Sequence, residues 1–270
     1  MKKDKYKILV LSDLKDTTLN IIKNAVSLAK IIDAEMHLFH VKKPTEVVEQ
    51  ESQLSAIRTI NRSYVSTDTE IQNMIEPISK DYNISISSSH AFGNIKNEIS
   101  NFIKTYKPDI VILGKNKSKP FSFVGDNLTD FIQKTHGGAI MIVDHTNSIS
   151  PDKQISLGVL NSFNKPLNIS FSEHLMKHSQ KPLKSFKIFK NTNEEQNTKN
   201  NSNQDVTEYV FEHNENSVKN LSGYLSKSNI NLLFVDRVKS HTKAQSSPIT
   251  HNINDVISKL NVSFLLSEQK

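Results

Sequence analysis

Asp13, Val41 and Gly114 each stand where an apolar run gives out. Residues 7–12, 36–41 and 109–113 are short and almost continuously apolar, the pattern of strands buried on both faces of a parallel sheet. In an open parallel sheet, ligands sit outside the carboxyl ends of the strands, and all three residues fall there. Asp13 offers a carboxylate to the hydroxyls of a ribose or the amine of an adenine. It has an equal second reading as the N-cap of the helix that begins just after it. Gly114 opens a loop that runs to Asn127 and contains Gly125. Glycine lets backbone N–H groups come close to phosphate oxygens. The helix expected from Leu128 adds the positive end of its dipole.

Other reactive sets do not hold together. Cysteine is absent, which excludes disulfides, thiolate catalysis and zinc-thiolate sites and fits a reducing cytoplasm. His174 and His178 are four apart on an expected helix, a metal-ligand spacing, but a zinc peptidase needs Glu after the first His and Leu175 stands there. The pair reads as two solvent-facing histidines. His37 and His40, three apart on a strand, point to opposite faces and cannot chelate one ion. There is neither a G-x-S-x-G nucleophile elbow nor a G-x-x-x-x-G-K-[ST] phosphate loop. No catalytic residue and no metal ligand is therefore expected.

The elements that position Asp13, Val41 and Gly114 follow from hydrophobic periodicity. Between the first two runs, residues 16–32 have helical spacing, with Ile22, Ala25, Val26, Ala29 and Ile32 on one face. Thr67 and Glu70 have capping-box spacing and predict a helix that starts there and carries Ile71, Met74, Ile75 and Ile78. Residues 84–90 read as a third strand, and Gly93 precedes a helix with Ile95, Ile99, Phe102 and Ile103. A helix over 128–135 and a strand over 139–143 complete the set. Strands alternating with helices imply an α/β fold with parallel pairing and right-handed crossovers.

Residues 147–151 read as a linker, and the second half repeats the theme less clearly. Strands are expected over 155–160, 186–189, 209–211, 232–235 and 262–266. Pro166 suits the first turn of a helix carrying Leu167, Phe171 and Leu175, and further helices are expected over 218–225 and 253–260. Residues 191–204 are almost wholly polar and read as a loop. The halves look like diverged repeats: Asp109-Ile110-Val111-Ile112-Leu113 matches Asn231-Leu232-Leu233-Phe234-Val235, and Leu128-Thr129-Asp130-Phe131-Ile132-Gln133-Lys134 matches Ile253-Asn254-Asp255-Val256-Ile257-Ser258-Lys259. In this register Asn161 or a neighbour takes the place of Asp13, and Asp236 takes that of Gly114.

Composition adds bounds. The 270 residues fit two domains of roughly 130 each. The net charge of +6 comes from scattered lysines with no Lys/Arg run longer than two and only 7% aromatic residues, so neither a basic stripe nor a stacking surface for nucleic acid is present. No stretch approaches the roughly 20 apolar residues that a membrane helix needs. The apolar run over 8–11 is too short for a signal-peptide core. Neither nucleic acid nor membrane is expected as a partner.

The strand–Asp–helix–strand layout of residues 7–41 resembles the opening of a universal stress protein domain, and residues 108–143 resemble its close. The resemblance implies two tandem open parallel-sheet domains, Rossmann-like and adenine nucleotide alpha hydrolase-like, with strand order 3-2-1-4-5. Residues 1–146 would form the first, with a partial nucleotide loop, and 152–270 a degenerate second. ATP-binding members of that family carry G-x2-G-x9-G-[ST] after strand four. Here Gly114 is the first glycine and Lys117 replaces the second. Asp126 and Asn127 stand where the family has Gly and Ser, with Gly125 one position early and the loop one residue shorter. By this resemblance Asp13 holds ribose or adenine, the Val41 backbone meets the base, and Gly114, Gly125 and the Asn127 backbone line phosphates. Lys117, Lys115 or Lys119 would supply charge, while Asp126 caps the helix and repels a phosphate there. The resemblance implies a cytoplasmic stress-response protein that acts by association and holds ATP, with Mg, or another adenine nucleotide in its first domain. Its halves would pair through their last strands as an intramolecular pseudo-dimer, or whole chains would form a homodimer. Two alternatives stand beside it: an enzyme that slowly hydrolyses ATP or handles nucleotidyl groups, and a ligand-free interaction module.

Overall fold

The computed structural model describes residues 5–43, 53–115, 128–146, 148–161, 167–189, 206–212, 214, 216–237 and 253–268. The first half contains β1 (Tyr6–Ser12), α1 (Thr18–Ile32), β2 (Ala34–Lys42), α2 (Gln53–Tyr82), β3 (Ile86–Phe92), α3 (Ile95–Tyr106), β4 (Ile110–Gly114), α4 (Leu128–Thr135) and β5 (Ala139–Val143). The second contains β6 (Leu157–Leu160), α5 (Ser172–Lys177), β7 (Leu183–Phe189), β8 (Val206–Glu212), α6 (Ser217–Lys227), β9 (Leu232–Val235), α7 (Ile253–Lys259) and β10 (Ser263–Leu266). They build one ten-stranded sheet in the order β3-β2-β1-β4-β5-β10-β9-β6-β7-β8.

The first five strands thus take the expected order 3-2-1-4-5, all parallel. The second half repeats the order, with β6 to β10 as its own first to fifth strands, also parallel among themselves. The two runs meet at β5 and β10, which pair antiparallel with Ile142 opposite Phe264 and Met141 opposite Leu265. Each apolar last strand covers the edge that the other would expose to a stray partner.

Alternation along the strands sends side chains to two cores. Ile8, Val10, Met36, Leu38, Ile110 and Ile112 pack with α1 and α2, whereas Leu9, Leu11, Phe39, Val111 and Leu113 pack with Ile99 of α3 and Ile132 of α4. The expected face of α1 lies on the sheet. Its other side is buried too, because Ser27 donates to the Ile149 carbonyl at 2.8 Å and Asn24 Oδ1 accepts from Ile149 N at 2.8 Å. The segment expected as the linker is anchored on α1 by Ile149, itself buried; Asn147 lies outside the described residues.

Two helix boundaries differ from expectation. No helix starts at the Thr67 capping box. Helix α2 runs straight through it, and Thr67 is buried in mid-helix. Ser63 and Thr67 occupy the same stripe as Ile71, Ile75 and Ile78, so small polar residues break the apolar pattern while the helix continues over the sheet. In the second half, Leu167, Ile169 and Phe171 are buried but not helical, and α5 begins only at Ser172. Pro166 and residues 191–204 lie outside the described residues.

Candidate functional site

A cavity of about 1010 Å³ opens where the carboxyl ends of β1, β2 and β4 converge with the turn that leads into α3. Asp13, Val41 and Gly114, far apart in sequence, all line it. Lys117, Gly125, Asp126 and Asn127 lie outside the described residues. Leu128, the first residue of α4, also lines the cavity.

The turn that presents Asp13 is built by short polar side chains. Ser12 Oγ lies 2.9 Å from Thr18 Oγ1 and accepts from Leu14 N at 3.0 Å. Asp13 Oδ1 accepts from Lys15 N at 3.2 Å, an Asx turn, and Leu14 takes a positive φ of 56°. The reading of Asp13 as a helix N-cap is not what the structure shows. The N-cap of α1 is Thr17, whose side chain caps nothing, because the turn inserts four residues between the carboxylate and the helix. Asp13 is 54% exposed at its side chain, and its other oxygen meets only the Lys15 ammonium at 3.7 Å. It is therefore free to accept from a ligand.

Gly114 serves packing as well as access. A Cβ there would lie 2.6 Å from Ile21 Cδ1, so the glycine lets α1 sit close on β4. Its neighbour Lys115 lines the cavity but is not available to a phosphate. Its ammonium donates to the Leu260 carbonyl at 2.6 Å and pairs with Asp144 at 3.5 Å, with the Lys115 side chain 10% exposed. Burial lowers the Lys115 pKa, against the pull of Asp144. Burial alone would raise the Asp144 carboxyl, but the hydrogen bonds from Thr146 and then the Lys115 charge outweigh it and hold the carboxyl below its ordinary range.

Several lining residues escaped sequence reasoning. His40 is buried, and its Nδ1–H donates to the Ser12 carbonyl at 2.9 Å, which ties the ends of β1 and β2 together beside Asp13. Lys43 and Lys96 bring positive charge to the cavity, which Asp13 and Asp16 also line. Asn94 is the N-cap of α3 and accepts from Lys96 N at 3.1 Å and Asn97 N at 3.2 Å. Gly93 was a legible sign of the helix start; nothing local tied it to Asp13, because the meeting is made by the sheet. Asn94→Ala should cost about 1 kcal/mol by removing this cap; a urea unfolding midpoint unchanged from the parent would contradict it.

His145 also lines the cavity, whereas His37, His174 and His178 fall elsewhere. His37 packs against Phe102 with ring centroids 4.9 Å apart and bridges Ser87 and Ser89, on the α3 face, while His40 lies on the other. His178 Nδ1 is bonded to the His174 carbonyl at 3.0 Å. Among the described residues, no group of three or more His, Asp or Glu is placed to hold a metal ion. No helix among them is long and apolar enough to cross a membrane. In the second half, Asn161, which the register sets level with Ser12, takes a φ of 55° and its Oδ1 accepts from Ile188 N at 2.9 Å, joining β6 to β7; residue 162, level with Asp13, lies outside the described residues.

The model of the universal stress protein family matches residues 6–137. Among solved structures, the chain is similar to a universal stress protein from Archaeoglobus fulgidus, with a TM-score of 0.68 at 11% identity over 98% of each chain. It is also similar to a putative universal stress protein from Pseudomonas aeruginosa UCBPP-PA14, with a TM-score of 0.57 at 11% identity over 97% of this chain and 93% of that one. At such identities the likeness speaks of the fold alone. A search of the curated proteins finds no match.

Proposed function

Because this chain belongs, through residues 6–137, to the universal stress protein family, we propose that it acts by binding an adenine nucleotide in the first-half cavity, and that it responds to stress by association rather than turnover. The observation that carries this reading is the convergence of Asp13, Val41 and Gly114 on one cavity at strand carboxyl ends. Asp13 would accept from the ribose hydroxyls or the adenine amine. The Val41 backbone would meet the base. Gly114 would floor the cavity, and Gly125 and the backbone of Asn127 would approach the phosphates at the amino end of α4, where the helix dipole favours negative charge. Lys117 would take the place of close backbone approach with an ammonium. Lys43 and Lys96 in its lining favour an anionic ligand.

Residues 1–146 and 152–270 are read as two domains of which only the first binds, since residues 237–250, which follow β9, contain no glycine. Calorimetric titration with Mg-ATP and with AMP tests the proposal. The parent protein should give heat, and Asp13→Ala should weaken binding at least about tenfold, the value of one hydrogen bond to a charged group. A parallel thermal scan at about 100 times the dissociation constant should show roughly 2.7 kcal/mol of added stability. The exposed Asp152→Ala serves as control. No heat from the parent would return the chain to the ligand-free interaction module. Equal affinity in parent and Asp13→Ala would remove Asp13 from the site.

A further inference from the structure

We propose that Arg237, which follows β9 in the second half, is a positioning residue for the first-half cavity: it grips the carboxyl end of α4 and thereby sets where the amino end of that helix stands. Arg237 does not line the cavity. Its guanidinium donates to the carbonyls of Gln133 at 3.5 Å, His136 at 3.0 Å and Gly137 at 3.3 Å, and to that of Gly138. Its Nε donates to the Ser267 carbonyl, and its backbone N to Ser267 Oγ at 2.8 Å, which locks the arginine onto the end of β10. The last carbonyls of a helix have no partner within it and carry the negative end of the dipole. Arg237 meets one of them, that of Gln133, and holds the turn of His136, Gly137 and Gly138 that leads out of α4, which a planar cation with five donors can do at once and an ammonium cannot.

The rest of α4 is tied to the same half. Asn254 of α7 accepts from Gln133 Nε2 at 2.9 Å and donates to Asp130 Oδ1. The register places Arg237 after β9 where Lys115 stands after β4, and Lys115 reaches the opposite way, to the Leu260 carbonyl behind α7. Each half thus sends a cation across the seam to the helix terminus of the other. For the cavity the result is directional. Lys115, beside Gly114, and α4, which begins at Leu128, are both held by second-half groups, so the cavity wall made by Gly114 and Leu128 is set from outside its own half.

The consequence for a ligand rests on the nucleotide-binding reading, so the test has one arm that needs no ligand. The full chain is prepared as parent, Arg237→Gln, Arg237→Lys and Leu221→Ala, the last a core truncation in α6. Amide hydrogen exchange is followed across α4 and α1. In Arg237→Gln the α4 amides should exchange at least about tenfold faster relative to α1 than in Leu221→Ala, the effect of losing charged hydrogen bonds at one helix end. Arg237→Lys should restore part of the protection and keeps the test open if the glutamine variant folds poorly. Where the parent binds Mg-ATP, Arg237→Gln should bind it more weakly by a comparable factor, and Leu221→Ala as the parent does. Equal α4 exchange in Arg237→Gln and Leu221→Ala would overturn the proposal whether or not ATP binds, as would unchanged affinity in a parent that binds. A parent that gives no heat while α4 loosens selectively overturns the nucleotide reading and leaves the bracing of α4 supported.

Discussion

Phe264→Ala is expected to lower the stability of the whole chain by about 3–5 kcal/mol, the range for truncating a fully buried aromatic ring. Phe264 is 0% exposed in β10, opposite Ile142 of β5 and beside Leu233 of β9. The cluster that holds it contains Ile140 and Ile142 from the first half and Leu233, Val256 and Ile257 from the second. Loss of the ring leaves a cavity where the two runs of strands join, so neither half can close over it alone. A urea titration followed by circular dichroism measures the loss. Phe264→Leu, which keeps most of the volume, should cost under about 1.5 kcal/mol. A Phe264→Ala cost below about 1 kcal/mol would mean that the seam contributes hydrogen bonds but no shared core.

A second large effect is expected in acid. His136 is 4% exposed, and its pKa is lowered to about 4, first by burial and then by the charge of Arg237. The folded protein therefore keeps the ring neutral down to about pH 4, whereas the unfolded chain takes up a proton near the ordinary histidine value of 6.5. Between those values the unfolded state binds more protons. The contribution is complete above about pH 6.5 and is lost as the pH falls towards 4, about 3 kcal/mol in all. Burial also lowers His37 and His90, so they add to the same acid loss. Asp144, held below its ordinary carboxyl range, adds its loss at lower pH. Stability measured from pH 7 to 4 should fall less steeply in His136→Gln than in the parent, and parallel slopes would refute the assignment. Gly138 keeps this site tight, because a Cβ there would lie 2.3 Å from the Asp109 carbonyl and 2.7 Å from His136 Nε2.

The two effects lie on either side of one seam, and their coupling has a physical basis. Arg237 holds His136 by its carbonyl and depresses its ring by charge. Protonation of His136 in acid would set two cations side by side next to α4. Acid loosening should therefore begin at the seam rather than at the outer strands β3 and β8.

The sequence by itself determined the α/β fold class, the bounds of α4 and β5, and the place of Asp13, Val41 and Gly114 at strand ends. Those features follow from periodicities of two to four residues, which any buried strand or amphipathic helix must obey. Only the tertiary structure decided the rest. It ran α2 through a capping box, since burial against the sheet outweighs a local start signal. It spent Lys115 on Asp144 and the Leu260 carbonyl, although its neighbour Gly114 lies in the cavity. It brought Asn94 and His40 to the side of Asp13, and Arg237 to the carbonyls behind α4. Each of these is a contact between residues distant in the chain. Local sequence carries no record of such contacts, because the satisfaction of a buried cation or carbonyl depends on what the opposite strand order brings within hydrogen-bond reach.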